Sequence, residues 1–240
     1  MDDRIIDWKD THSRVTISLM IKPIGIKTIG HHLKDPVYTK ALFVSLTLLV
    51  ASLVINFFAG RYATADASNP VTDIVLSNIP VFDIDSIFVY GAFVLVAIIA
   101  FLCFFYPRRA PFILKAISLF TIIRAIFVNL THLGPFPTQV AIDPLSLINN
   151  FTFGGDLFFS GHTGLPFLMA LLFWDNKTLR TFFIAVSVTF GVVVLMGHLH
   201  YSIDVLAAFF ITYSIYHLSE RLFKKDKLMA DESSHHMLAQ

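Results

Sequence analysis

The chain has a single cysteine, Cys103, inside an apolar run, so no intrachain disulfide framework exists and the redox compartment stays open. Charge is scarce too: 15% of the 240 residues are Asp, Glu, Lys or Arg, against about 25% in soluble domains. The formal net charge is only +1, which leaves no electrostatic footprint for nucleic acid. No internal repeat, low-complexity segment or dividing linker interrupts the sequence. These absences exclude a disordered tail, a collagen and a disulfide-stapled secreted scaffold. What the chain has in excess is apolar surface, with 55% hydrophobic residues, 25 of them Phe. Its mean hydropathy is +0.70. A soluble core of this length cannot hide that surplus, and the bilayer is the solvent that suits it.

Six apolar stretches stand out: Ala41–Phe58, Ser86–Tyr106, Pro111–Leu130, Phe158–Trp174, Thr181–Gly197 and Tyr201–Leu218. Each approaches the ~20 residues a helix needs to cross hydrocarbon. The expected fold is all-α, a polytopic six-transmembrane-helix bundle. The first apolar run begins about forty residues in, so no cleaved signal peptide is expected. All but three of the 18 Lys and Arg fall in the N-terminal arm, the second and fourth loops and the tail. Arg61 is alone on the other side, and Lys115 and Arg124 lie within the third segment. Both termini are therefore expected in the cytoplasm, with the first, third and fifth loops on the exoplasmic or periplasmic side. The reading divides the chain into an arm over 1–40, interfacial or loosely packed, a catalytic membrane domain over 41–218 and a tail over 219–240.

Ionisable residues inside such segments cost at least ~2.5–3.5 kcal/mol at mid-bilayer. Lys115, near the cytoplasmic end, is read as snorkelling and His217 as structural. Arg124 sits in the outer third, where a functional role competes with partial snorkelling. Two short stretches enter helices at the same outer face. The first is Gly154-Gly155-Asp156-Leu157-Phe158-Phe159-Ser160-Gly161-His162-Thr163-Gly164, where glycines and free helix-start amides suit a phosphate. The second is Gly197-His198-Leu199-His200-Tyr201-Ser202-Ile203-Asp204-Val205. A helix beginning by His200 puts His200 and Asp204 on one face, so that Asp204 fixes the imidazole tautomer and frees the other nitrogen to attack. The plain alternative is a polar cluster at a helix–loop boundary. A metal site on His198, His200 and Asp204 is a further alternative, although residues two apart do not share a helical face. No metal and no cofactor is required by the chemistry read here.

These residues resemble the sphingomyelin synthase branch of the lipid phosphatase and phosphotransferase (phosphatidic acid phosphatase type 2) superfamily. Gly155, Asp156, Ser160, Gly161, His162 and Thr163 match its C-G-D-x3-S-G-H-T motif, with Gly154 in place of the cysteine. His200, Tyr201, Ser202, Asp204 and Val205 match H-Y-[ST]-x-D-V. Arg108-Arg109, Arg124 and Thr131-His132-Leu133 are similar to its third-segment pattern, and Pro80-Val81-Phe82-Asp83 echoes its first-loop motif. Phe209 stands where the family has Tyr, and the interval to Tyr216-His217 is shorter. The phosphatase branch fits less well: there is no Arg-Pro pair, Phe159 precedes Ser160, and Val194 lies ahead of His200. A phosphomonoester dianion in a buried site needs two or three cations, whereas a phosphodiester needs fewer.

The expected activity is transfer of phosphocholine or phosphoethanolamine from a phospholipid donor to a ceramide or diacylglycerol-type acceptor. His200, oriented by Asp204, attacks phosphorus and His162 serves as acid and then base. Arg124 with Ser160, Gly161 and Thr163 holds the phosphoryl oxygens. Asp156 and Tyr201 meet the amine of the head group, Tyr201 through cation–π contact. A lipid phosphatase or phospholipase C-like hydrolase uses the same His/His/Asp set, with water as acceptor. A non-catalytic lipid binder is the third class. The oligomeric state is not legible.

Overall fold

The computed structural model describes residues 32–140 and 157–238. The arm over 1–31 and the stretch 141–156, with Asp156, lie outside the described residues. Asp35 opens the first helix, α1 (Pro36–Ala65): its Oδ1 accepts from the Val37 amide at 2.9 Å, and Pro36 has no amide to satisfy. Then come α2 (Asp85–Phe105), a 3-10 turn (Pro107–Arg109), α3 (Ala110–Leu130), α4 (Gly161–Leu172), α5 (Lys177–Met196), α6 (Ser202–Leu222) and α7 (Lys224–Leu238). No strand occurs among the described residues.

Five helices, α1, α2, α3, α5 and α6, are long and apolar enough to cross a membrane. The exception is α4, whose 12 residues rise ~18 Å against ~30 Å of hydrocarbon. The expected span Phe158–Trp174 is therefore too long at both ends. Hydropathy does not register Ser160, whose hydroxyl caps the helix start. Ahead of it, Leu157, Phe159 and Ser160 are non-helical yet buried. Backbone of that kind is tolerated at membrane depth where protein covers it. The first helix departs the other way, running well past the window 41–58 because polar flanks that lower hydropathy do not break a helix.

α3 is the central helix. α1 lies along it through a stripe of small buried residues, Ser45, Ser52, Gly60 and Ala63, the kind of face that lets membrane helices approach closely. The Ser45 and Ser52 hydroxyls donate to the Leu42 and Leu49 carbonyls, so the stripe carries no orphaned donor. The other side of α1 exposes Phe43, Val50 and Phe58, a face suited to lipid. A Cβ on Gly164 would lie 2.8 Å from Phe120 and 2.9 Å from Thr212. Only glycine lets α4 sit between α3 and α6.

At one end of the bundle, ion pairs fasten the turns. Arg109 is buried under the start of α3 and donates to both Asp175 oxygens, at 3.1 and 2.5 Å. Lys115 does not snorkel: its Nζ lies 2.7 Å from both oxygens of Asp226 on α7, and both residues are buried. Nothing in a linear reading shows that the tail folds back to bring Asp226 there. His217 contacts Glu220 at 3.0 Å on an exposed face, in keeping with a structural role. At the opposite end, the segments 66–84 and 131–140 are stitched by backbone bonds to each other and to the end of α5 and the residue after it. These run from Ser68 to His132, Phe82 to Met196 and Val140 to Gly197. The candidate site lies under that end.

Candidate active site

The site begins where α5 turns into α6. His198 takes a left-handed backbone, φ 53°, a conformation His tolerates better than most residues. Its Nδ1 bonds the Thr138 hydroxyl at 2.5 Å, and its ring packs edge-on against Phe136. His198 does not line the cavity that His200 lines. Among the described residues no group of three or more His, Cys, Asp or Glu side chains is placed to hold a metal ion.

α6 starts at Ser202, two residues later than the expected helix start. His200 therefore precedes the helix. Its Nδ1 lies 2.7 Å from the Leu157 carbonyl and 3.5 Å from Asp204 Oδ2. A carbonyl only accepts, so Nδ1 carries the proton and Nε2 is left for chemistry. The orienting partner expected at Asp204 is thus chiefly the Leu157 backbone. Asp204 Oδ2 accepts the Tyr201 amide at 2.9 Å, and the carboxylate is completely buried beside the imidazole. Its Oδ1 has no hydrogen-bond partner among the described residues.

A second carboxylate, invisible to the motif reading, fixes the same helix start. Asp73, buried in the first loop, accepts the Ser202 amide at 2.7 Å through Oδ2. Its Oδ1 takes the Val75 and Leu76 amides at 2.8 and 3.1 Å. Burial pushes its carboxyl upward, but these amide bonds outweigh that and hold it below the usual range. The stabilisation is complete above the unfolded value of ~3.9 and is lost as pH falls through the lower folded value. Asp73→Ala is expected to cost about 2 kcal/mol, read as a lower unfolding midpoint in detergent. An unchanged midpoint shows that water replaces the carboxylate. An Asp ahead of Ile74-Val75-Leu76 carries no motif, and its bond to Ser202 spans 129 positions. The first-loop motif at Pro80-Val81-Phe82-Asp83 does not include Asp73.

His162 is the second residue of α4. Phe88 of α2 stacks on its ring at 3.9 Å, and Phe190 of α5 meets it edge-on at 5.5 Å. Nothing distinguished Phe88 among 25 phenylalanines. Arg124 reaches the same helix start from α3. It is 8% exposed and its Nε donates to the Phe159 carbonyl at 2.9 Å. A Cβ on Gly161 would lie 3.2 Å from that Nε, so glycine lets the guanidinium close on α4. Snorkelling does not describe it. His162, His200, Arg124 and Gly161 all line one cavity of about 900 Å³.

Three expected ligand residues take other places. Ser160 accepts weakly from the Thr163 amide (3.4 Å), and its own amide donates to the Asp204 carbonyl at 3.3 Å, tying α4 to α6. Thr163 gives its carbonyl to the Ser187 hydroxyl at 2.7 Å. Neither side chain lines the cavity. Tyr201 is buried, donating to the Gly134 carbonyl at 2.7 Å and accepting from the Val71 amide at 3.2 Å. It clamps two loops and does not face a head-group amine in the cavity.

The start of α4, whose first amides have no intrahelical partners, and Arg124 both border the cavity that His200 and His162 line. Nothing matches the chain among curated proteins or solved structures. Residues 154–221, which carry His162, His200 and Asp204, match the family described as PAP2 superfamily C-terminal.

Proposed function

We propose that the protein is a membrane lipid head-group transferase, moving phosphocholine or phosphoethanolamine from a glycerophospholipid to ceramide or a similar lipid alcohol. Lipid phosphatase and phosphotransferase chemistry is what the family match suggests. The observation that carries the reading is His200, its Nδ1–H engaged by Leu157, lining one cavity with His162 and Arg124 at the start of α4. In the first step Nε2 bonds to phosphorus and the bond from phosphorus to the diacylglycerol oxygen breaks. Protonated His162 gives its proton to that oxygen. In the second step His162 takes the proton of the acceptor hydroxyl, the new oxygen–phosphorus bond forms, and the phosphorus–nitrogen bond breaks to restore His200. Arg124 and the α4 amides hold the phosphoryl oxygens throughout.

Arg124 is the one Lys or Arg among the described cavity-lining residues, which favours a singly charged phosphodiester over a phosphomonoester dianion. Arg124→Lys keeps the charge but not the planar fork. A hundredfold or greater fall in rate is therefore expected, from losing a donor worth roughly 3 kcal/mol. Initial rates per mole of purified protein in mixed micelles measure it, and a rate within about threefold of the parent removes Arg124 from the chemistry.

With the short α4 and its buried lead-in as the fourth of six crossings, both termini share one side, which the clustered Lys and Arg assign to the cytoplasm, leaving the active site exoplasmic. Asp156 is the group proposed for the head-group amine. Ser77→Cys in a Cys103-free protein is expected to label with an impermeant thiol reagent in sealed right-side-out membranes. Labelling only after permeabilisation reverses the orientation. The reaction itself is tested with labelled phosphatidylcholine plus ceramide, products separated by thin-layer chromatography. Labelled sphingolipid supports transfer, free phosphocholine replaces it with hydrolysis, and no product removes both.

A further inference from the structure

The cavity extends far beyond the reacting groups. It runs along α3 from Arg124 to Ala110, with Tyr38 and Cys103 also at the end remote from His200. Fourteen residue steps of α3 make that distance ~21 Å. Between the ends the wall is hydrocarbon, from residues such as Leu49 of α1, Leu95 of α2 and Ile117 of α3. Helix packing explains the space: α1 lies closely on α3, while α2 makes few contacts with α3 and scarcely touches α1. α1 and α2 both line the cavity, and both also expose apolar residues suited to lipid.

We propose that this cavity binds one hydrocarbon chain of the lipid whose phosphodiester meets His200, and that its depth sets the preferred chain length. The location of the phosphodiester rests on the reading of His200 and Arg124 given above. An extended chain advances ~1.3 Å per carbon, from bonds of ~1.5 Å at the tetrahedral angle, so the cavity takes about sixteen carbons. The chain enters sideways from the bilayer between α1 and α2. Moving it from lipid into a leucine-lined cavity yields little hydrophobic gain, because lipid tails are as apolar as leucine. Discrimination therefore comes from fit. A longer chain meets the turn at Pro107 and Ala110, and a shorter one leaves wall atoms without contacts.

Cys103, the sole cysteine, reports on the remote end. The experiment uses the His200→Gln protein in maltoside micelles with a membrane-permeant maleimide and alkylphosphocholines of different length. At a concentration tenfold above its dissociation constant, hexadecylphosphocholine is expected to slow Cys103 labelling about tenfold. Octylphosphocholine, anchored at the same head-group site, is expected to leave it unchanged. Equal protection by both, or none by the longer one, overturns the proposal. Cys103→Phe in the active protein is expected to shift the preferred donor towards shorter chains, and an unchanged preference also counts against it. Because labelling needs no turnover, protection by the long chain in a protein that transfers nothing upholds the chain site while the transferase reading falls.

Discussion

His200→Gln is expected to leave a protein that inserts and accumulates normally but turns lipid over roughly 10⁴–10⁶-fold more slowly, the range seen when one member of a nucleophile–base set is removed. Glutamine retains a donor for the Leu157 carbonyl, which His200 holds at 2.7 Å, so the lead-in to α4 keeps its anchor. What disappears is the ring nitrogen proposed to attack phosphorus. A general-base role for His200 would cost less, about 10²–10⁴-fold, because direct attack by the acceptor would remain. The measurement is the initial rate of lipid product formation at matched amounts of folded protein. A loss under a hundredfold would move the nucleophile elsewhere.

Asp204→Asn is the second large effect. The proton on His200 Nδ1 is held by Leu157 rather than by Asp204, so the tautomer survives the substitution. The positive charge that develops on the imidazole as phosphorus bonds to it loses its counter-charge 3.5 Å away. At an effective dielectric of 20 that attraction is ~4 kcal/mol near 4 Å, and a fall of about a thousandfold in turnover is expected. The Tyr201 amide can still bond the Asn carbonyl oxygen, so the start of α6 is preserved. A rate within tenfold of the parent, with normal protein levels, would leave Asp204 as a helix cap only.

The helical character and the approximate places of five spans were legible in the sequence, and three residues singled out there, His162, His200 and Arg124, line one cavity with Asp204 beside His200. Apolar runs and misplaced ionisable groups carry that information directly. The true start of α4 was not, because its lead-in is as apolar as a helix and Ser160 looked like a ligand rather than a cap. Tyr201 misled for a related reason: an aromatic beside a candidate catalytic histidine suggests a ligand contact, yet its hydroxyl is spent on two loops. Leu157 and Asp73 were invisible because their contributions are a backbone carbonyl and a long-range cap. Lys115 was read from its own segment alone, and its partner, Asp226, lies on α7, 111 positions along the chain.

The central claim, phosphoryl transfer through His200, is tested most directly by trapping. Purified protein is mixed with radiophosphorus-labelled phosphatidylcholine without acceptor and quenched in denaturant at alkaline pH, where a phosphorus–nitrogen bond to histidine survives. Peptides are then mapped. The account predicts label on the peptide bearing His200, its loss on mild acid treatment or on adding ceramide, and none in the His200→Gln protein. Undiminished label in that variant, or lipid turnover by the parent with no protein-bound phosphorus at any time after mixing, would contradict it.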